Sequence, residues 1–309
     1  MNDEPRKSSR RAILGAAVLS AGVGLAAGAV GGAAMTASTA PTLVHVGKRR
    51  RFQDKVVLIT GATSGIGAAA AKRFAAEGGK VAFCGRRVER GQAVEREIRE
   101  AGGNATYIRA DVRNEPDMKA FVDAAVSKYG GLDVCFNNAG ISIEKRLHEL
   151  TLAEWDDVIN TDLRGNFLAL KYEIPQLVAR GGGVVVVTSS SNAVATGPKR
   201  GAYAAAKRGL VGLVQAAAQD YFDDNIRINV LVPGTTDTEL TRRVAGMINA
   251  PDAIWEAGAA IWAKSNVAVA RRMAKPEEIA AFALTLASSD FPYMTGAQMV
   301  IDGGKTTHA

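Results

Sequence analysis

Residues 55–79 read KVVLITGATSGIGAAAAKRFAAEGG, and the fold is decided there. Val56-Val57-Leu58-Ile59-Thr60 is a short apolar, β-branched run, the mark of a strand buried on both faces. It runs into Gly61-Ala62-Thr63-Ser64-Gly65-Ile66-Gly67, then into an alanine-rich helix that ends near Gly78-Gly79. Glycines let the backbone turn tightly and approach a phosphate. The helix start adds free N–H groups and the positive end of its dipole. The spacing is Gly-x3-Gly-x-Gly rather than the commoner Gly-x-Gly-x2-Gly. A glycine-rich turn alone is weak evidence; between a strand and a helix it points to a dinucleotide.

Outward from this stretch, strand and helix alternate to the end of the chain. Apolar runs at 81–84, 105–109, 132–136, 183–188, 226–232 and 298–301 read as further strands. Helical patterns cover 88–101, 115–129, 151–179 with a break near Asn160, 203–222 and 277–287. This alternation predicts an α/β fold: a doubly wound parallel sheet of about seven strands, helices on both faces, in a single domain over 52–309. Right-handed crossovers then put every strand's C-terminal loop along one edge, where ligands bind.

The chain has 309 residues, 47% hydrophobic and 22% charged, as in an ordinary globular protein. Its net charge is +7, from 38 basic and 31 acidic residues. The basic residues lie among acidic neighbours, as over 86–100, rather than on one face interleaved with aromatics. That argues against a nucleic-acid partner. Cys84 and Cys135 stand near the ends of two strand-like runs. If those strands flank the first on opposite sides, the cysteines are roughly 9–10 Å apart. A disulfide needs Cα atoms within about 7 Å, so both read as buried free thiols. His45, His148 and His308 have no Cys or carboxylate at ligand spacing, and no metal site is expected.

The first fifty residues are a separate object. Arg10-Arg11 precedes an uncharged stretch of mostly Ala and Gly, followed by Ala37-Ser38-Thr39-Ala40. A charged start, a weakly apolar middle and a small-residue end describe an export signal over 1–40, and the arginine pair resembles a twin-arginine signal. The stretch is also long enough to span a bilayer, so an uncleaved membrane anchor is the alternative. Residues 41–51 then form a short basic linker. On this reading the protein is exported or periplasmic after signal removal, with the export machinery as a partner.

Two later stretches carry chemistry. In Tyr203-Ala204-Ala205-Ala206-Lys207 the phenol and the ammonium are four residues apart, on one helix face. A nearby cation favours the phenolate, as an acid/base catalyst requires. Thirteen residues before Tyr203, at the end of the fifth strand, stands Thr188-Ser189-Ser190-Ser191. A hydroxyl there can hydrogen-bond a substrate oxygen and hold charge that develops on it.

With these motifs in place, residues 52–304 resemble a short-chain dehydrogenase/reductase, in the branch of the 3-oxoacyl reductases and glucose dehydrogenases. The resemblance runs through 60–67, Asn137-Asn138-Ala139-Gly140, Ser190, Tyr203, Lys207, 233–238 and Asp302-Gly303-Gly304. It implies a Rossmann-type sheet and an oxidoreductase in which Tyr203 is general acid or base. Lys207 would tune Tyr203 and bind the nicotinamide ribose, and Ser190 would orient the substrate oxygen. Ser190, Asn192 and Tyr203 would touch substrate. Gly61, Ser64, Gly65, Ile66, Gly67, Asp111, Val112, Asn138, Tyr203, Lys207, Thr236 and Thr238 would touch cofactor. The chain departs from the family pattern once. The family's asparagine, seven residues after the tryptophan of W-x-x-V, is here Asp162. That asparagine acts partly through its backbone carbonyl, which holds a water against the lysine. Asp162 is taken as the fourth catalytic residue, with a carboxylate that adds charge near Lys207.

Cofactor choice rests on the end of the second strand, where NAD-binding members place an acid. Here Gly85 is followed by Arg86-Arg87, which suits a 2′-phosphate, so NADP is expected with Arg86 as its contact and NAD as the alternative. The substrate segment, 238–272, carries Trp255 and Trp262 at helical spacing, as an apolar lid or as core. No charged cluster demands an anionic substrate, so an uncharged small-molecule alcohol or ketone is expected. The resemblance also implies a homotetramer paired through helices 160–180 and 203–222. The rival readings are an NAD-dependent sugar or alcohol dehydrogenase, and a nucleotide sensor without turnover.

Overall fold

In the first strand, β1 (Val56–Thr60), the side chains alternate between two cores. Val56 and Leu58 face one, Val57 and Ile59 the other, and none of the four is accessible to solvent beyond a trace. A strand sealed on both faces belongs at the centre of a helix-sheet-helix sandwich. The computed structural model describes residues 50–307, so the export-like segment and the linker up to residue 49 lie outside the described residues, as does His308.

The sheet adds β2 (Lys80–Gly85), β3 (Asn104–Arg109), β4 (Val134–Asn137), β5 (Gly183–Thr188), β6 (Ile226–Pro233) and β7 (Gln298–Ile301). Their order is β3-β2-β1-β4-β5-β6-β7, and every pairing is parallel. Val57 is paired with Val81 on one side and Val134 on the other, so the order reverses at β1 and β4. A crevice opens at such a reversal, beyond the strands' C-terminal ends. Cys84 and Cys135 lie on β2 and β4, on opposite sides of β1, as buried free thiols.

Helices α1 (Gly65–Ala76), α2 (Val88–Glu100) and α9 (Pro276–Ala287) cover one face, with Phe74, Ile98 and Leu284 in its core. Helices α3 (Glu115–Tyr129), α5 (Gly165–Arg180) and α6 (Gly201–Asp220) cover the other through Phe121, Leu177 and Leu210. The expected helix over 151–179 is α4 (Leu152–Ile159) and α5, joined without a loop by a π turn at Asn160–Arg164. The break near Asn160 is thus a widened turn, a feature often found where a helix aims a functional side chain. Thr151 starts α4 with a capping box, its hydroxyl accepting from the Glu154 N–H.

The segment after β6 folds into α7 (Glu239–Val244) and α8 (Asp252–Asn266). Trp255 belongs to the interior: it is 2% exposed and its indole N–H donates to Asp237 at 2.8 Å. Trp262 is only partly covered, with the Lys305 ammonium 5.8 Å from its ring. The two tryptophans therefore do not act together as a lid. At the other end, Arg51 is bound to the domain by a two-pronged pair with Glu77 at 2.7 and 2.8 Å.

Candidate active site

The parallel sheet gathers the loops that follow β1 to β6 along one edge, and nearly all the residues expected in the site stand there. The glycine loop is built by close approach. Gly61 has φ +70°, and a Cβ on it would lie 2.6 Å from the Ala139 Cα, so the loop is pressed against the end of β4. A Cβ on Gly67 would come within 2.5 Å of the Gly61 carbonyl and 2.7 Å of the Asn138 amide. Asn138 closes the loop from the other side: its Nδ2 reaches the Gly61 carbonyl at 3.4 Å, and its backbone N–H donates to Thr60 Oγ1 at 3.0 Å.

Ser64 stands at the N-cap of α1 but does not cap it. Its hydroxyl instead accepts from the Arg87 guanidinium at 2.6 Å, which leaves the N–H groups of the first turn uncapped by a side chain. An uncapped helix start behind a glycine cradle fits a dinucleotide pyrophosphate. The other cofactor-side residues surround it. Thr238 lies against Gly65, and Thr236 is buried with its hydroxyl on the Gly234 carbonyl. Val112 is buried beyond β3, and the Asp111 carboxylate sits in the fork of Arg113, whose other arm reaches Asp157 at 2.5 Å.

At the end of β2 the two arginines diverge. Arg86 is exposed, whereas Arg87 turns back and donates to Thr63 Oγ1 and Ser64 Oγ. Past the buried Gly85, residue 86 points out and residue 87 in. A Cβ at Gly85 would lie 2.6 Å from Thr63 Cγ2, so Thr63 fills the place where an acid would stand.

On the other side of the crevice, β5 and α6 are bound to each other at the reacting residues. Ser189 Oγ donates to the Lys207 carbonyl at 2.8 Å, and Lys207 Nζ donates to the Thr188 carbonyl at 3.0 Å. Ser190 is buried and its hydroxyl accepts from both the backbone and the side-chain amide of Asn192 at 3.2 Å, so Asn192 orients Ser190. Tyr203 is partly exposed, and Lys207 Nζ lies 5.6 Å from the centre of its ring. Beside Tyr203, an apolar cluster of Val158, Ala202 and Ala206 is lined by Ile141, Ile143, Leu150 and Trp155.

Asp162 is fully buried in the π turn, and its carboxylate lies 3.2 Å from Lys207 Nζ. The other oxygen accepts from the Ile141 N–H at 2.8 Å. Facing two donors, the carboxyl can only accept, which is the ionised form's role. Burial lifts it above the usual carboxylate range, against the pull of Lys207 and the Ile141 amide. Burial also opposes the charge on Lys207, but Asp162 and Tyr203 outweigh it and hold the ammonium above its ordinary value. The Asp162 carbonyl accepts from Asn166 Nδ2 at 2.6 Å. In addition to any role of its backbone carbonyl, Asp162 meets the lysine directly through its carboxylate. Gly140 leaves the space for this: its Cβ would stand 3.1 Å from Asp162 Oδ2 and 3.2 Å from Lys207 Nζ.

A buried polar group that the sequence reading missed lies behind this edge. Glu173 of α5 accepts from Asn137 Nδ2 at 2.7 Å, and its other oxygen has no hydrogen-bond partner among the described residues. Burial pushes this carboxyl up to about 7. Asn137, although adjacent to Asn138, thus serves the interior.

Known proteins agree with this geometry. A family model described as Enoyl-(Acyl carrier protein) reductase matches residues 61–306. A 3beta-hydroxysteroid dehydrogenase of Mediterraneibacter gnavus is 38% identical over 268 residues, covering 84% of this chain and 97% of the relative. The chain is a short-chain dehydrogenase/reductase. A cyclohexanol dehydrogenase of Acinetobacter sp. is likewise 38% identical, over 83% of this chain and 97% of its own. The crystal structure of levodione reductase superposes with a TM-score of 0.77 at 33% identity, over 84% of this chain and 100% of that one. The chain is accordingly an oxidoreductase acting on hydroxyl or ketone substrates.

Proposed function

We propose that this enzyme interconverts an uncharged cyclic secondary alcohol and its ketone, using NADP(H). The observation that carries the reading is the joined β5–α6 frame, which puts Ser190, Tyr203 and Lys207 on one side of the glycine-loop crevice. A bound nicotinamide would supply the hydride chemistry at the carbinol carbon. In oxidation Tyr203 takes the proton from the alcohol oxygen, and in reduction it returns a proton to the ketone oxygen. Ser190, oriented by Asn192, holds that oxygen by its hydroxyl. Lys207 supplies positive charge beside Tyr203, and Asp162 keeps the ammonium charged and in place.

NADP is supported by what stands at the end of β2: no carboxylate at Gly85, and Arg87 directed at Thr63 and Ser64. A cyclic substrate is supported by the apolar wall of Ile141, Ile143 and Leu150 near Tyr203, and by relatives named for a hydroxysteroid and cyclohexanol. A panel of cyclic alcohols and ketones, each run with NADP(H) and NAD(H) and followed at the nicotinamide absorbance, tests both parts. Higher kcat/KM with open-chain polyols, or with NAD(H), counts against the reading.

The same proposal includes export of the folded enzyme through residues 1–40 and assembly as a homotetramer. The arginine pair Arg10-Arg11 supports the first. Half-exposed Phe167 on α5 and open space above Gly212 on α6 support the second, because both helices then offer faces for close packing.

A further inference from the structure

Glu239, the first residue of α7, joins the cofactor loop to the substrate side by contacts that hydride transfer does not need. Its Oε2 receives the Arg87 guanidinium at 2.6 Å while the same guanidinium holds Thr63 and Ser64. Arg90 of α2 pairs with that oxygen as well, and Arg243 reaches the other at 2.8 Å. Burial works against the charge on Glu239, yet Arg87 and Arg90 hold its carboxyl below the usual range. Next to it, Thr238 lies against the glycine loop, where a Cβ on Gly65 would stand 3.2 Å from its Cγ2. The start of α7 is therefore pinned over the glycine loop, and the pin is an anion.

Two guanidinium groups meeting one carboxylate oxygen mark an anion site, and Arg87 ties that site to the Thr63 and Ser64 hydroxyls of the glycine loop. Glu239 fills it from within the chain. A phosphate monoester carries more charge than a carboxylate and can take the guanidinium by two N–H groups where Glu239 takes one, so the two anions compete at Arg87. The geometry points to Glu239 as an internal competitor for the 2′-phosphate: NADP displaces it and unpins α7, whereas NAD leaves the Arg87–Glu239 bridge closed. This inference rests on the NADP reading. Because α7 opens the substrate segment, the enzyme would sense which dinucleotide it holds through this one carboxylate.

Binding measurements, without turnover, test this. Wild type, Glu239→Gln and Arg243→Ala are titrated with NADPH and NADH by nicotinamide fluorescence, and with 2′,5′-ADP and 5′-ADP by calorimetry. Glu239→Gln is expected to tighten NADPH and 2′,5′-ADP by about three- to tenfold, the scale of one partly exposed ion pair, and to leave NADH and 5′-ADP within about twofold. Arg243→Ala, which touches Glu239 but not the glycine loop, leaves the preference between nucleotides unchanged. In wild type, amide hydrogen exchange over Glu239–Val244 is faster with 2′,5′-ADP than with 5′-ADP. Equal effects of Glu239→Gln on both nucleotides, or no loosening of α7, overturn the competition and leave the NADP reading intact. A wild type that binds only NADH, with NADPH binding gained in Glu239→Gln, refutes the NADP reading and supports the competition.

Discussion

Replacing Asp162 by Asn removes a buried negative charge while keeping an oxygen for the Ile141 N–H. The Asp162 carboxylate lies 3.2 Å from Lys207 Nζ, and Nζ lies 5.6 Å from the Tyr203 ring centre. The carboxylate oxygen facing Nζ is thus at most about 9 Å from the centre of the Tyr203 ring. At an effective dielectric of about 20, its repulsion of a phenolate there amounts to about 2 kcal/mol, or about 1.5 pH units. In alcohol oxidation Tyr203 must have lost its proton, so removing the repulsion makes the base form available at lower pH. The acid limb of the kcat/KM profile for alcohol oxidation is therefore expected to move down by about 1.5 pH units in Asp162→Asn. Thermal melts on the same samples check that Lys207, stripped of its partner, has not destabilised the domain. An acid limb that stays in place or moves up refutes the reasoning, because the carboxylate would then contribute no field at Tyr203.

Other expectations follow from single contacts. Glu173 has a carboxyl raised to about 7 in the folded state against about 4.3 in an unfolded chain, so the folded state holds its proton more tightly. Its contribution to stability is fully present below the unfolded value and is lost as pH rises to about 7. Glu173→Gln should abolish that loss and gain on the order of 3 kcal/mol above about pH 8, read from denaturant titrations at two pH values; no gain there would contradict the burial argument. Gly85→Ala places a Cβ 2.6 Å from Thr63 Cγ2 and should cost roughly 1–3 kcal/mol, with recovery in the Thr63→Ser background that removes the methyl. Recovery failing in the double variant would mean the clash lies elsewhere. Arg10→Lys with Arg11→Lys should retain the protein in the cytoplasm, and undiminished export would sink the twin-arginine reading.

Much of this molecule was legible in its sequence because a strand buried on both faces has an unambiguous appearance. Val56–Thr60 and Gly183–Thr188 are short runs rich in β-branched residues, and a parallel sheet is the architecture that seals both faces. Ser190, Tyr203 and Lys207 were legible because spacing along a strand end and a helix fixes where side chains point. The residues that were not legible act across the sequence. Arg87 meets Glu239 over 152 positions, and nothing local to either announces the other. Asn166 meets the Asp162 carbonyl across a π turn, which 3.6-residue periodicity does not encode. Glu173 reads as an ordinary polar position on α5 until α5 packs it beneath β4. Trp255 and Trp262 share a helical spacing, but α8 rests on the domain along one narrow line and buries only the first.

Proton transfer in the proposed reaction depends on Tyr203. Tyr203→Phe removes one oxygen that moves the proton and leaves the ring over which Lys207 sits. The variant should still bind NADPH in a fluorescence titration, yet turn over the best cyclic alcohol about 10²- to 10⁴-fold more slowly. A variant that keeps both binding and turnover would show that the proton is handled elsewhere and would contradict the assignment of this site.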